Sequence, residues 1–205
     1  MKTKKTTNKR TYYHIIVDQS GSMADCIPAT LSTVNEQLDT IKSLAKKFPE
    51  QEVLTGITFF NTEMDQLYFC DPVEKLHRVS TEDYSPNGMT ALLDTVGQTI
   101  LALNGKVERE IKNNEASVVV IIITDGYENS SKHFNHGKIK SMIGELESTK
   151  LWSFSYYGAD MNDISDATKM GIRRENSAML RKSAMQEFSL ELSEKMEQYV
   201  MSKSL

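Results

Sequence analysis

The sequence predicts a doubly wound α/β fold with a mostly parallel central sheet, one antiparallel edge strand and helices on both faces. Residues 11–17 (TYYHIIV) and 117–124 (SVVVIIIT) are continuous apolar runs rich in β-branched side chains. Such runs are typical of strands that are covered on both faces. Between and after them, apolar residues recur every three or four positions, as on the buried stripe of a helix. Strands that alternate with amphipathic helices indicate a parallel sheet with helices packed against it.

In the first half of the chain, the strand at residues 11–17 is followed by a predicted helix. The apolar stripe of this helix consists of Ile27, Leu31, Val34, Leu38, Ile41 and Ala45. Two strands are predicted next, at residues 53–60 and 64–70. The intervening Asn61-Thr62-Glu63 predicts a hairpin turn, so we expect this pair to be antiparallel.

The second half continues the alternation after a stretch, residues 71–89, that is predicted to be mostly irregular. Thr90 is predicted to begin a helix whose buried stripe is Leu93, Val96, Ile100 and Leu103. The remaining predicted elements are the buried strand 117–124, a helix around 139–146, a strand at 151–157, a short helix at 163–170, a short edge strand near 174–179 and a last helix from about 184 to 201.

Length and composition bound the possible classes of protein. A chain of 205 residues with 39% hydrophobic and 25% charged residues fits one globular domain, which we expect at residues 11–205 after a disordered basic tail at residues 1–10. The net charge of −4 and the lack of a large basic patch argue against nucleic acid as a partner. No apolar stretch reaches the ~20 residues of a membrane helix, and residues 1–10 lack the apolar core of a secretory signal. We therefore expect no membrane partner and a cytoplasmic location.

Metal sites built on sulfur or nitrogen are not predicted. Cys26 and Cys70 are too few for a disulfide framework or a zinc site and are expected to be free thiols. His133 and His136 lie three residues apart, but no further nitrogen or sulfur donor is obvious near them.

Oxygen donors, in contrast, cluster where the predicted strands end. Asp18-Gln19-Ser20-Gly21-Ser22 directly follows the first strand, and Thr124-Asp125-Gly126 ends the most apolar one. In open α/β sheets, sites form outside the carboxyl ends of the strands, so the two carboxylates are expected in one crevice if the strands are neighbours. Asn87-Gly88-Met89-Thr90 could bring a third segment to it. Carboxylate and hydroxyl oxygens suit a hard cation such as Mg²⁺ or Mn²⁺.

This pattern resembles the von Willebrand factor A (vWA) domain, a Rossmann-like fold, and its metal-ion-dependent adhesion site (MIDAS). The matching residues are Asp18, Ser20, Ser22, Thr90 and Asp125. The resemblance implies that Ser20, Ser22 and Thr90 coordinate the ion directly, whereas Asp18 and Asp125 act partly through water. It implies Mg²⁺ or Mn²⁺ in preference to Ca²⁺, with one position left for an Asp or Glu side chain of a partner protein. It further implies an adaptor in a cytoplasmic multiprotein assembly. The helix N-termini after Ser22 and Thr90 are expected to add positive potential for the incoming anion.

Enzyme classes fit less well, and we predict that the protein is not an enzyme. An aspartyl phosphotransferase usually carries a second acid two residues after the first, where this chain has Ser20. Neither the Gly-x-Ser-x-Gly elbow of hydrolases nor a Gly-Lys-Ser/Thr phosphate loop is present. Two alternatives stay open: a metal-dependent hydrolase that uses the same acidic site, and a metal that only rigidifies the loops.

Overall fold

The computed structural model describes residues 9–125, 127–158 and 161–179. Six strands form one sheet in the order β3-β2-β1-β4-β5-β6. They are β1 (Lys9–Asp18), β2 (Gln51–Phe60), β3 (Met64–Pro72), β4 (Ala116–Ile123), β5 (Trp152–Gly158) and β6 (Ser177–Met179). Only β3 is antiparallel to its neighbour, and it lies at the edge of the sheet. The predicted fold class and the antiparallel edge strand are thus confirmed.

Within the described residues, four α-helices connect the strands. They are α1 (Ile27–Lys47), α2 (Leu92–Lys112), α3 (His136–Ser148) and α4 (Met161–Lys169). Short 3₁₀ helices lie at Gly21–Cys26, Val73–Lys75 and Arg174–Asn176. No helix in the described part of the chain is both long enough and apolar enough to cross a bilayer.

The sheet is covered on both faces, as the apolar runs predict. Alternate residues of β1 enter two separate buried clusters. Ile15 and Val17 pack in the cluster that includes the stripe of α1, whereas Tyr12 and Ile16 pack in the cluster that includes α2, α3 and α4. Since β1 lies between β2 and β4 and each neighbour is reached by a different crossover, the strand order reverses at β1. The carboxyl ends of β1 and β4 therefore open onto the crevice where α/β proteins place their sites.

Two boundaries differ from the sequence-based expectation. Lys9 and Arg10, predicted to lie in the basic tail, belong to β1, because the Arg10 N–H donates to Glu115 O and its guanidinium pairs with Glu52 and Glu110. Helix α2 begins at Leu92 rather than at Thr90. Both polar backbone groups of Thr90 are bonded to a later loop, described below, and so do not take part in the helix. Most of the predicted tail, residues 1–8, and the predicted last helix, residues 184–201, lie outside the described residues.

Position 56 of β2 needs a glycine, because the His14 side chain of β1 lies close to its backbone. A Cβ atom at Gly56 would lie 2.3 Å from His14 Nδ1 and 3.1 Å from the backbone oxygen of Tyr68. Because the ring is fully buried and the second contact is with backbone, neither neighbour can move aside freely. We expect Gly56→Ala to lower the free energy of unfolding by about 2 kcal/mol, measured by urea denaturation.

Gly105→Ala is the matched control for this substitution. Gly105 lies on the exposed side of α2, and a Cβ there would meet nothing within 4 Å. Removing a glycine from a helix interior is expected to stabilise by up to ~1 kcal/mol. Equal effects of the two substitutions would contradict the close packing of His14 on Gly56.

Candidate metal centre

The candidate metal centre lies where β1 and β4 end side by side. Val17 pairs with Ile123 in parallel register, so Asp18 and Thr124 leave the sheet as neighbours. Thr124 Oγ1 donates to Asp18 Oδ2 at 2.5 Å. The site was predicted on the condition that these two strands are neighbours. The structure meets this condition.

Four of the five predicted site residues are joined by a chain of hydrogen bonds. The backbone N–H of Ser20 donates to Asp18 Oδ1 at 2.7 Å. The hydroxyls of Ser20 and Ser22 lie 3.1 Å apart, and Ser22 Oγ donates to Asp125 Oδ1 at 2.8 Å. Oxygens of Ser22 and Asp125, 103 positions apart in the sequence, thus meet where the two strands end.

The loop that carries Ser20 and Ser22 is held from several sides. The hydroxyl of the buried Tyr84 donates to the backbone oxygen of Asp18 at 2.5 Å. The Gln19 N–H donates to Phe60 O at the end of β2. Met23 is completely buried beneath the loop, and its sulfur accepts from the Asp125 N–H at 3.3 Å. No sequence signal pointed to Tyr84, because it lies in the irregular stretch between β3 and α2.

Backbone hydrogen bonds join the loop that contains Thr90 to the loop that carries Ser20 and Ser22. The Gly21 N–H donates to Gly88 O at 3.0 Å, and the Asn87 N–H donates to Gln19 O at 2.8 Å. Gly88 has φ 75°, a left-handed conformation that strongly favours glycine. Thr90 is 2% exposed, and its described hydrogen bonds are made by its backbone. The structure therefore brings the Thr90 loop against the other two, while coordination by its hydroxyl stays a prediction.

A segment that was not predicted to support the site connects this loop to the end of β4. We call residues 128–134 the strap. Asn129 Oδ1 accepts from the Thr90 N–H at 2.9 Å, and the N–H groups of Asn129 and Ser130 both donate to Thr90 O at 3.1 Å. The run Glu128-Asn129-Ser130-Ser131 contains residues that commonly bond to nearby backbone, which is the only signal that could have indicated it.

The strap also covers the N-terminus of α2. Glu128 Oε2 accepts from the Leu93 N–H at 2.9 Å, and Ser131 Oγ accepts from the Asp94 N–H at 2.9 Å. The expectation that this helix end offers its positive potential to an incoming anion is therefore wrong, because a carboxylate of the chain itself already occupies it. Asp94 in turn accepts from the backbone N–H groups of Lys132, His133 and Phe134, which hold its pKa below the usual range although burial acts in the opposite direction.

In the part of the chain that the structure describes, the centre carries two carboxylates without a basic counterpart. Burial raises the pKa of Asp18 to about 6, although the hydrogen bonds from Thr124 and Ser20 act in the opposite direction. Burial likewise raises the pKa of Asp125. Among the described residues, neither carboxylate forms a salt bridge with Lys or Arg. Buried charges are normally paired or bound to a metal, so hard oxygens and uncompensated negative charge fit a hard divalent cation.

Softer metal sites find no support in the described ranges. There, no group of three or more His, Cys, Asp or Glu side chains is arranged to hold a metal ion. The candidate centre described above differs from such groups, because the pattern of Ser20, Ser22 and Thr90 offers hydroxyl oxygens.

Comparison by sequence and by structure gives different results. Neither a protein-family model nor a curated protein sequence matches this chain. Several solved structures nevertheless share its fold with low sequence identity, as expected when a fold is retained after sequences have diverged.

Three of these structures illustrate the match. Proximal thread matrix protein 1 from the mussel byssus, with a zinc-occupied MIDAS motif, aligns over 91% of this chain and 46% of its own, with 15% identity and a TM-score of 0.57. A von Willebrand factor type A protein from Catenulispora acidiphila aligns over 93% of this chain and 43% of its own, with 14% identity and a TM-score of 0.54. Manganese-loaded Plasmodium vivax TRAP protein aligns over 84% of this chain and 69% of its own, with 15% identity and a TM-score of 0.54.

The chain thus spans less than half the length of the first two proteins. At such identities the likeness concerns the fold, and it agrees with the strand order and the antiparallel edge strand described above. The chain has the fold of a von Willebrand factor type A domain.

Proposed function

We propose that this chain is a divalent-metal-dependent protein-interaction module. In this proposal, Asp18, Ser20, Ser22, Thr90 and Asp125 hold Mg²⁺ or Mn²⁺, and the ion binds an Asp or Glu side chain of a partner protein. The observation that carries the proposal is the hydrogen-bond chain from Asp18 through Ser20 and Ser22 to Asp125. It gathers hard oxygens where the vWA fold opens its crevice.

The charge balance favours capture of an external acid. Two carboxylates match the charge of a divalent ion, and hydroxyl ligands are neutral, so the bound ion retains attraction for a further anion. Mg²⁺ prefers six oxygen ligands and usually keeps several waters, one of which a partner carboxylate replaces. The zinc-occupied MIDAS motif of the mussel protein and the manganese-loaded state of the TRAP protein support a divalent cation as the ligand.

A groove beside the centre supports contact with residues that flank the partner's acid. It has a volume of about 380 Å³ and is bordered by Met64 and Met89. Met89 directly precedes Thr90 and is 55% exposed, and Tyr127, two residues after Asp125, is 59% exposed. Exposed apolar side chains that neighbour site residues in the sequence fit an interaction surface, and methionine adapts to varied partners.

Selection from a random peptide library in Mg²⁺ tests the proposal. We expect bound peptides to contain an Asp or Glu whose change to Asn or Gln abolishes binding, and EDTA to release them. The Ser22→Ala variant should recover far fewer peptides. Peptides that bind equally in EDTA, or without an acidic residue, would contradict the metal-mediated contact. Metal that raises the melting temperature in the absence of any acid-dependent ligand would instead favour a purely structural ion.

Met89→Ser is expected to weaken binding of the selected peptides roughly tenfold, because it removes an apolar contact beside the acid. Binding of Mn²⁺ itself should not change, since Met89 supplies no oxygen to the centre. Both affinities are measured by titration calorimetry. Leu101→Ser is the matched control, because Leu101 is equally exposed (57%) but does not line the groove. A loss of peptide affinity in the control comparable to that of Met89→Ser would contradict the role of the groove.

We propose no catalytic role for the centre. A hydrolase needs a general base beside the metal, and Glu128, the acid that follows Asp125 most closely, is engaged by Ser130, Ser131 and Leu93. Turnover of phosphoester or peptide substrates with Mg²⁺ or Mn²⁺, abolished by Asp18→Ala, would contradict this.

We also propose that the module acts as an adaptor in a cytoplasmic assembly. The sequence holds two cysteines, too few for a disulfide framework, which is compatible with a reducing compartment. Binding of selected peptides in reducing buffer at cytoplasmic Mg²⁺ levels is the corresponding measurement, and a requirement for oxidising conditions would count against it.

A further inference from the structure

The strap makes three hydrogen bonds to a single predicted metal ligand. Asn129 Oδ1 accepts from the Thr90 N–H, while the Asn129 and Ser130 N–H groups donate to Thr90 O. Both backbone polar groups of Thr90 are thereby fixed by residues 129–130, not by the helix that follows. The position of Thr90 depends on the strap more than on α2.

The strap itself is anchored to rigid structure. Glu128 accepts four hydrogen bonds, from the N–H groups of Leu93, Ser130 and Ser131 and from Ser131 Oγ. Asp94 of α2 accepts three more from the N–H groups of Lys132, His133 and Phe134. The bond of Glu128 to the Leu93 N–H and the bonds of Asp94 to the strap N–H groups clamp the strap to the first turn of the helix.

The strap is also continuous with the loop that carries Asp125. Asn129 follows Asp125 by four residues, which in extended chain is at most ~14 Å. One end of this segment therefore holds a carboxylate of the centre, and the other end holds the backbone of Thr90. The two remote parts of the donor set are linked through Asn129.

We infer that Asn129 is a positioning residue of the metal centre: its side-chain oxygen fixes the Thr90 backbone so that the Thr90 hydroxyl and the Asp125 carboxylate act on the same ion. This inference rests on the proposed function. Asn129 does not itself contact the metal. Groups that orient metal ligands typically contribute roughly 10- to 100-fold to metal affinity.

The test compares two substitutions of Asn129 that differ in one acceptor. Asn129→Ala removes the oxygen that accepts from the Thr90 N–H, whereas Asn129→Asp retains an oxygen at the same place. We expect Asn129→Ala to weaken Mn²⁺ binding roughly 10- to 100-fold in calorimetric titration, and Asn129→Asp to bind at least as tightly as the unaltered protein. Asn113→Ala, an exposed asparagine at the far end of α2, is the control and should leave the affinity unchanged.

Amide hydrogen exchange in EDTA supplies a readout that needs no metal. In Asn129→Ala the Thr90 amide should exchange faster, whereas the Ala91 amide, which donates to Asn61 O, should stay protected. A variant that merely loosened the whole crevice would expose both amides. Should Asn129→Ala fail to fold, Asn129→Gln, with its oxygen displaced by one methylene, replaces it with the same expected losses.

The outcomes separate the two proposals. Unchanged Mn²⁺ affinity in Asn129→Ala, or equal weakening in Asn129→Ala and Asn129→Asp, would overturn the positioning role and leave the proposed function standing. An unaltered protein that binds no Mn²⁺ would overturn the proposed function and this inference together.

Discussion

Replacing Asp18 with asparagine is expected to abolish divalent-metal binding while making the metal-free protein more stable at pH 7. Asp18 is completely buried, and burial raises its pKa from 3.8 to about 6. The folded protein therefore holds the ionised carboxylate at a cost of up to about 3 kcal/mol at pH 7. Asparagine keeps the shape and an oxygen for the Ser20 N–H but removes the charge. Function and stability thus respond with opposite signs, as is common at sites that are built for binding.

Thermal unfolding with and without Mn²⁺ measures both effects. The unaltered protein should melt several degrees higher in Mn²⁺ at about 100 times its dissociation constant, which corresponds to about 2.7 kcal/mol. Asp18→Asn should melt higher than the unaltered protein in EDTA and show no further rise in Mn²⁺. Asp65→Asn, which changes an exposed carboxylate on β3, should behave like the unaltered protein. An Mn²⁺-dependent rise that survives in Asp18→Asn would contradict the role of Asp18.

The centre could be predicted from the sequence because of its place in the fold. Asp18 and Asp125 each end a long apolar run, and the carboxyl ends of parallel strands meet at one edge of the sheet, so local sequence sufficed to place both. The antiparallel edge strand was equally local, since a three-residue turn joins β2 to β3. These features depend on periodicity and turn chemistry, which a single sequence carries.

The supporting contacts could not be predicted in the same way. The hydrogen bonds of Tyr84 to Asp18 and of Asn129 to Thr90 join residues 66 and 39 positions apart through irregular loops. No period marks such partners, because loop side chains bond wherever the fold brings a backbone group within reach. The predicted start of α2 at Thr90 was wrong for the same reason. The strap forms hydrogen bonds with the backbone of Thr90, so these tertiary contacts override the helix signal there.

Acidification below pH 6.5 is expected to destabilise the metal-free protein through His14, which is buried in the middle of β1. Its Nε2 atom lies 2.9 Å from Thr58 Oγ1, its Nδ1 atom has no hydrogen-bond partner in the described structure, and the Phe69 ring packs against it. Burial alone lowers the pKa of His14 from 6.5 to about 4. Between these values the unfolded chain binds a proton that the folded protein does not. The contribution of neutral His14 is therefore complete above pH 6.5 and is lost as the pH falls towards 4, by about 3 kcal/mol.

Asp18 acts in the opposite direction, because its raised pKa lets the folded protein take up a proton first as the pH falls through about 6. The measurement therefore compares variants and not the unaltered protein alone. Urea unfolding between pH 7 and pH 4 in EDTA is expected to show a free energy of unfolding that falls about 3 kcal/mol less in His14→Gln than in the unaltered protein. Glutamine keeps a polar group near Thr58 and does not titrate. Asn113→Ala, which changes an exposed side chain that does not titrate, serves as the control and should leave the pH dependence unaltered. Parallel pH profiles for the unaltered protein and His14→Gln would mean that folding does not lower the pKa of His14.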